Sequence, residues 1–193
     1  MSHFGIYLIG INILGFLLLL VNIWLYTKTP TAQIDKFLTV ICILGGSVGI
    51  LLAILIFERK PKKGNMMSRV FVACVFVLQV ILFLVLRGHI SGHFTLAFWT
   101  FFGEHKWLIW YLLIINIVTF VAFAADKFAA MNHHGRIRII TLLGLAFIGG
   151  SIGALTAMYL LHHKTRKNYF TTGVPLILAM QIAILIYAMN AAW

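Results

Sequence analysis

Acidic side chains are scarce in this sequence. Four Asp and Glu stand against 15 Lys and Arg, for a formal net charge of +11. Charge of either sign is scarce too, at 10% of residues, where soluble domains run near a quarter. With 62% of residues hydrophobic, a water-soluble fold of this size would present a wide apolar surface and aggregate. That excludes an ordinary soluble domain and leaves lipid as the solvent that tolerates the composition. Cysteine is confined to Cys42 and Cys74, both inside apolar runs, so they read as small hydrophobes and imply neither a disulfide framework nor a redox compartment. No basic stretch precedes the first apolar run, which therefore reads as a retained membrane helix and not a cleaved signal. The nucleophile elbow, the paired-histidine zinc motif, the phosphate-binding loop and the dinucleotide fingerprint are all missing, so no cofactor is expected.

What remains is a succession of apolar runs. Residues 4–26, 37–57, 70–86, 107–125, 139–161 and 171–193 carry no charged side chain, and most have the roughly 20 residues that cross a bilayer core. Backbone in lipid must satisfy its own hydrogen bonds, so each run is predicted helical. The apolar residues show no period of two, which argues against a barrel. The fold expectation is an all-α integral membrane protein of six transmembrane helices. The cations sit between the runs, in 27–36, 58–69, 126–138 and 162–170. That placement fits anionic lipid head groups better than nucleic acid, and a homo-oligomer stays open. Residues 90–103, short for a span and rich in aromatics, read as an interfacial or re-entrant piece.

The chain repeats itself. Residues 7–63 align without gaps on 111–167, matching Tyr7 to Tyr111, Asn12 to Asn116, Phe16 to Phe120, Lys60 to Lys164 and Lys63 to Lys167. The block GGSVG at 45–49 meets GGSIG at 149–153, and a two-residue shift brings Gln79 onto Gln181. Apolar bias produces chance Leu/Ile matches but not Asn, Lys, Gln and a glycine block in register. The organisation predicted is a three-helix repeat over 1–87, a linker over 88–106 and a second repeat over 107–193. An odd number of spans per copy inverts the second copy if the linker stays on one face, the arrangement of many transporters. The cations then divide almost evenly between the two faces, as inverted halves would have them.

Several of these residues carry a resemblance. Asn116, Asp126-Lys127-Phe128-Ala129-Ala130, Arg136-Ile137, Gly149-Gly150 with Gly153, His163-Lys164-Thr165 and Phe170 follow the pattern of a family of small bacterial membrane proteins. That family is catalogued only as a domain of unknown function and is sometimes fused to a cold-shock domain. The second copy, over roughly 107–185, resembles it. The family's Pro-Glu after Arg-Ile is Arg138-Ile139 here. The first copy has Asn22 in place of Asp126 and Arg59 in place of His163. The resemblance implies a multi-pass protein of the bacterial cytoplasmic membrane, here as a tandem duplication, and implies no activity.

The polar and small residues inside the runs are the candidate site. Gly45, Gly49 and Ala53 share one helix face, as do Gly149, Gly153 and Ala157, a spacing that lets helices pack closely in lipid. Asn12 and Asn116 lie within membrane runs, where polar groups face the protein interior; they are read as interhelical hydrogen bonders or as ligands on a substrate or ion pathway. Asp126, at the end of its run near Lys127 and Arg136, is either a terminal ion pair or a proton- or cation-coupling carboxylate. His163-Lys164-Thr165-Arg166-Lys167 is either a snorkelling basic loop or a grip for lipid phosphate. His89 with His93, His133-His134 and His162-His163 lack a second carboxylate or Cys at metal-site spacing, so no metal is expected. The expectation is a small transporter or channel with its pathway at Asn12, Asn116, Asp126, Arg136, His163 and Lys164. A membrane-embedded enzyme on a lipid or phosphate substrate, with Asp126 and His163 as acid and base, is the alternative. It is disfavoured because the two residues sit at opposite ends of the fifth helix. A structural or assembly subunit is the third reading.

Overall fold

A computed structural model describes residues 3–28, 35–58, 64–89, 95–132 and 135–191. The basic stretch 59–63, Pro30, and the histidines at 93, 133 and 134 fall outside the described residues. All the elements described are helical: α1 (His3–Lys28), α2 (Asp35–Ile41), α3 (Ser47–Phe57), α4 (Met66–Leu86), α5 (Phe98–Glu104), α6 (Lys106–Met131), α7 (Ile139–Leu145), α8 (Ser151–Leu160), α9 (Asn168–Thr171) and α10 (Gly173–Asn190). Six helical segments are long and apolar enough to cross a membrane, at His3–Leu25, Lys36–Phe57, Met66–Leu86, Lys106–Met131, Ile139–Leu160 and Asn168–Asn190. Large apolar side chains such as Ile13, Leu55, Ile117 and Ile152 lie exposed along them, which suits a surface solvated by hydrocarbon chains. The chain forms two compact units, Met1–Val80 and Ile81–Trp193. The segment read as interfacial contains the seven-residue α5, whose Trp99 is fully exposed.

Two of the six long segments are not straight. The run between α2 and α3 passes through a wide turn at Cys42–Gly46, and the run between α7 and α8 through one at Ala146–Gly150. Each turn is broken at a glycine in the left-handed region, Gly45 at φ 119° and Gly149 at φ 132°. Residues with a Cβ avoid that region, so a glycine is the residue that permits the break.

The bend is large. A straight helix of the 22 residues Ile139–Leu160 would hold its ends roughly 33 Å apart. Yet Asp126 takes a hydrogen bond at 3.0 Å from the Ile137 N–H, just before that segment, and meets His163 Nε2 at 2.8 Å, just after it. Residues 139–160 therefore fold back on themselves, with α7 running one way along α6 and α8 returning. The same break at Gly45 lets α2 and α3 pack together against α1. There Leu19, Leu38, Cys42, Ile50, Ile54 and Val72 form a buried core, edged by Phe16 and Phe71.

Candidate site at the folded-back segments

A helix that stops leaves its last carbonyls without intrahelical partners, and in lipid each such group costs several kcal/mol. In the first unit these carbonyls all find side chains. Gln79 Nε2 donates to the Cys42 and Ile43 carbonyls at 2.6 and 3.1 Å, Tyr7 Oη to Leu44 at 2.7 Å, and Asn12 Nδ2 to Gly45 at 3.0 Å. The opening of α3 is served too, since the Gly49 N–H donates to Asn12 Oδ1 at 2.8 Å and Ser47 Oγ to Gln79 Oε1. Asn12 thus closes both sides of the break, and Gln79 anchors it to α4.

The second unit makes the same set of bonds. Gln181 Nε2 donates to the Ala146 and Phe147 carbonyls at 2.7 and 3.0 Å, Tyr111 to Ile148, and Asn116 Nδ2 to Gly149 at 3.0 Å. The Gly153 N–H donates to Asn116 Oδ1 at 2.7 Å, and Ser151 to Gln181. Gly49 and Gly153 sit where a Cβ would run into the Asn12 and Asn116 backbone carbonyls. The glycine faces therefore seat the returning half-helix on the asparagine turn of the long helix. Tyr7, Tyr111, Gln79 and Gln181 were visible in the sequence only as matched positions. The signal that they act on the break is their polar character in register inside otherwise apolar runs.

At the end of the second folded-back segment the charged residues converge. Asp126 is fully buried and meets three groups: the Ile137 N–H, His163 Nε2 and Lys164 Nζ, the last at 2.7 Å. Next to it Lys127 Nζ donates to the Leu161 carbonyl at 2.8 Å, closing the end of α8. Lys164 Nζ also lies 4.8 Å above the Phe170 ring, and Phe170 packs edge-on against Phe123 with centroids 5.6 Å apart. Burial pushes the Lys164 ammonium below the usual lysine range, against the pull of Asp126; Arg136 adds to the lowering. The loop carries left-handed backbone at His162 and Lys164, a conformation that costs non-glycine residues roughly 1–2 kcal/mol each and persists where surrounding bonds enforce it.

These contacts correct one expectation. Asp126 and His163 are not at opposite ends of a rod, because the break at Gly149 returns the chain to the level it left. Of the residues singled out from the sequence, Asp126, His163 and Lys164 form one cluster, with Arg136 exposed at its edge. Asn116, Gly149 and Gly153 form the break of the same unit, and Asn12, Gly45 and Gly49 that of the first. Among the described residues no group of three His, Cys, Asp or Glu could hold a metal ion. An apolar groove of about 1070 Å³ runs along α6, from Trp99, Lys106 and Trp110 to Asn116, Gly153 and Thr156.

The profile of a family described as "Protein of unknown function (DUF1294)" matches residues 116–170, the stretch that holds Asn116, the Asp126 cluster, the Gly149 break and Phe170. "Uncharacterized protein YsdA" of Bacillus subtilis (strain 168) is 37% identical over 78 residues, which cover 40% of this chain and 88% of that relative. No solved structure matches the chain.

Proposed function

This chain belongs to the DUF1294 family, and we propose that it is a small transporter or channel of the bacterial cytoplasmic membrane for an anionic substrate, lipid phosphate being the class its basic loops suit best. One observation carries the reading: two membrane segments break midway and fold back, at Gly45 and Gly149. Irregular backbone is tolerated at membrane depth only where protein or a cavity surrounds it, and transporters build their sites around such discontinuous helices. Arg136, Lys164, Arg166 and Lys167 supply the cations that would draw a phosphate or an anionic head group. Asp126 holds His163 and Lys164 in place among them.

The duplication read from the sequence belongs to this proposal, with its orientation revised. A segment that folds back contributes no crossing, so each copy crosses twice, by α1 and α4 or by α6 and α10. An even count returns the chain to the face it left, so with 88–106 on one face the basic segments 27–36, 58–69, 126–138 and 162–170 share a single side of the membrane. Of the 15 Lys and Arg residues, only Arg87 and Lys106 then fall on the other side. So lopsided a distribution is what the positive-inside rule asks of a cytoplasmic face, whereas the inverted reading had to accept an even split.

One observation favours a second reading, a membrane-embedded enzyme on a lipid or phosphate substrate. The 2.8 Å contact of His163 with a buried carboxylate is the pairing in which an acid orients a histidine for proton transfer. Reconstitution in liposomes separates the two. Transport predicts that inorganic phosphate or a head-group-labelled anionic phospholipid changes sides unaltered, and that Lys164→Gln slows it. Movement of neither probe, with hydrolysis of the labelled lipid, would favour the enzyme.

A further inference from the structure

The cores of the two units differ at several matched positions, and two of these pack on each other in the second unit. Matching Gln79 to Gln181 also matches Ser68 to Phe170, and the longer repeat matches Leu19 to Phe123. In the second unit those two phenylalanines are fully buried and packed on each other, filling the space beneath Asp126. In the first unit their counterparts are a leucine and a serine, and a cavity of about 620 Å³ is lined by both. That volume lies within the range of about 300–1,000 Å³ typical of small-molecule sites.

The cavity has two ends of different chemistry. Its depth is hydrocarbon: Leu38, Cys42, Ile50, Ile54 and Val72. Its rim is polar: Asn22, Glu58, Asn65, Ser68 and Arg69. Glu58 is engaged, taking a hydrogen bond from Asn65 Nδ2 at 3.0 Å and lying 3.8 Å from the Arg69 guanidinium. Arg69 donates through one terminal nitrogen to the Glu58 carbonyl, but its Nε is buried with no hydrogen-bond partner among the described residues. A buried donor left unmatched is costly.

We propose that this cavity binds a single-chain anionic amphiphile, a carboxylate or phosphate monoester on one hydrocarbon chain, with the chain inserted between Leu19 and Ile54 and the head group at Arg69. The volume suits one chain, the Arg69 Nε left without a partner among the described residues suits an anion, and a leucine and a serine in place of the phenylalanine pair leave the space open. The inference does not depend on transport, because it concerns binding within the first unit alone.

Photo-crosslinking of the full chain in nanodiscs tests it. The probes are diazirine-tagged palmitate, diazirine-tagged lysophosphatidate and, as a neutral control, a diazirine-tagged monoacylglycerol. At least one anionic probe labels peptides within residues 19–72, and the comparison of palmitate with lysophosphatidate identifies the head group. Ser68→Phe, which puts a ring where the second unit has Phe170 and narrows the cavity, lowers that labelling at least about tenfold. Arg69→Gln lowers labelling by the anionic probe and leaves the neutral probe unchanged. A Ser68→Phe protein that melts like the parent yet labels as strongly overturns the cavity, and equal labelling by neutral and anionic probes in the native chain overturns the head-group assignment. Should Ser68→Phe not fold, Ser68→Leu with Arg69→Gln decides the same question. Absent flux with this labelling intact would count against transport alone.

Discussion

Asp126 and His163 lie 2.8 Å apart although 37 residues separate them, and the route between them is a membrane segment bent double at Gly149. Lys164 shares the same carboxylate. The pair is thus a clasp across the open end of a helical hairpin, and its loss has consequences that differ by substitution.

Replacing Asp126 by Ala strands the Lys164 ammonium, the His163 ring and the Ile137 N–H. Removing one partner of a buried pair costs about 3–5 kcal/mol, so Asp126→Ala lowers the melting temperature sharply in thermal unfolding of the detergent-solubilised protein. Asp126→Asn keeps an acceptor for Ile137, as Asn22 does in residue type at the matching position of the first unit, and lowers it less. Equal melting of the native, Asn and Ala proteins would show that the clasp holds nothing.

Asn12 and Asn116 each serve a carbonyl and an N–H at a break. Leucine at either position orphans both groups, at about 1–3 kcal/mol apiece. Asn116→Leu and Asn12→Leu are each expected to destabilise their unit by several kcal/mol in titration with a denaturing detergent. A stability change below about 1 kcal/mol would mean the break is satisfied otherwise.

The glycines divide by mechanism. Gly149→Ala meets a left-handed backbone and costs roughly 1–2 kcal/mol. Gly153→Ala costs more, because a methyl there collides with the Asn116 carbonyl, a backbone atom that side-chain rotation cannot move. Gly10→Ala faces open space and gains up to about 1 kcal/mol from helix propensity. Reversal of this order in a folding assay would contradict the packing described.

Sidedness offers the sharpest contrast with the inverted arrangement. With Cys42 and Cys74 replaced by alanine, single cysteines at Lys60 and Lys167 should both be labelled from the cytoplasmic side by a membrane-impermeant maleimide. Labelling of the two from opposite sides would refute the proposed orientation.

The membrane segments were legible because hydrophobic run length reports bilayer thickness directly. The matched Asn, Gln, Tyr and GGSxG positions were legible as a pattern, but their purpose was not. A glycine pair inside an apolar run has the spacing of a packing face, and nothing in its residue type distinguishes a straight helix from one turned through a left-handed glycine. Without that turn Asp126 and His163 are a helix length apart on paper, so the reading separated residues the fold joins. In the sequence Phe170 is one position of a family pattern. Its packing on Phe123, and the vacancy at Ser68, appear only when both cores are compared residue by residue.

The sealed break constrains how the protein is made. The carbonyls of Ala146 and Phe147 are matched by Gln181, which leaves the ribosome 35 and 34 residues after them, and Cys42 and Ile43 wait similarly for Gln79. Until that glutamine arrives two carbonyls of the elbow are unmatched in hydrocarbon, so each unit's last long helix closes the structure as it inserts. A chain truncated between the elbow and its glutamine should be retained by the insertion machinery or degraded, and not released as a smaller stable protein.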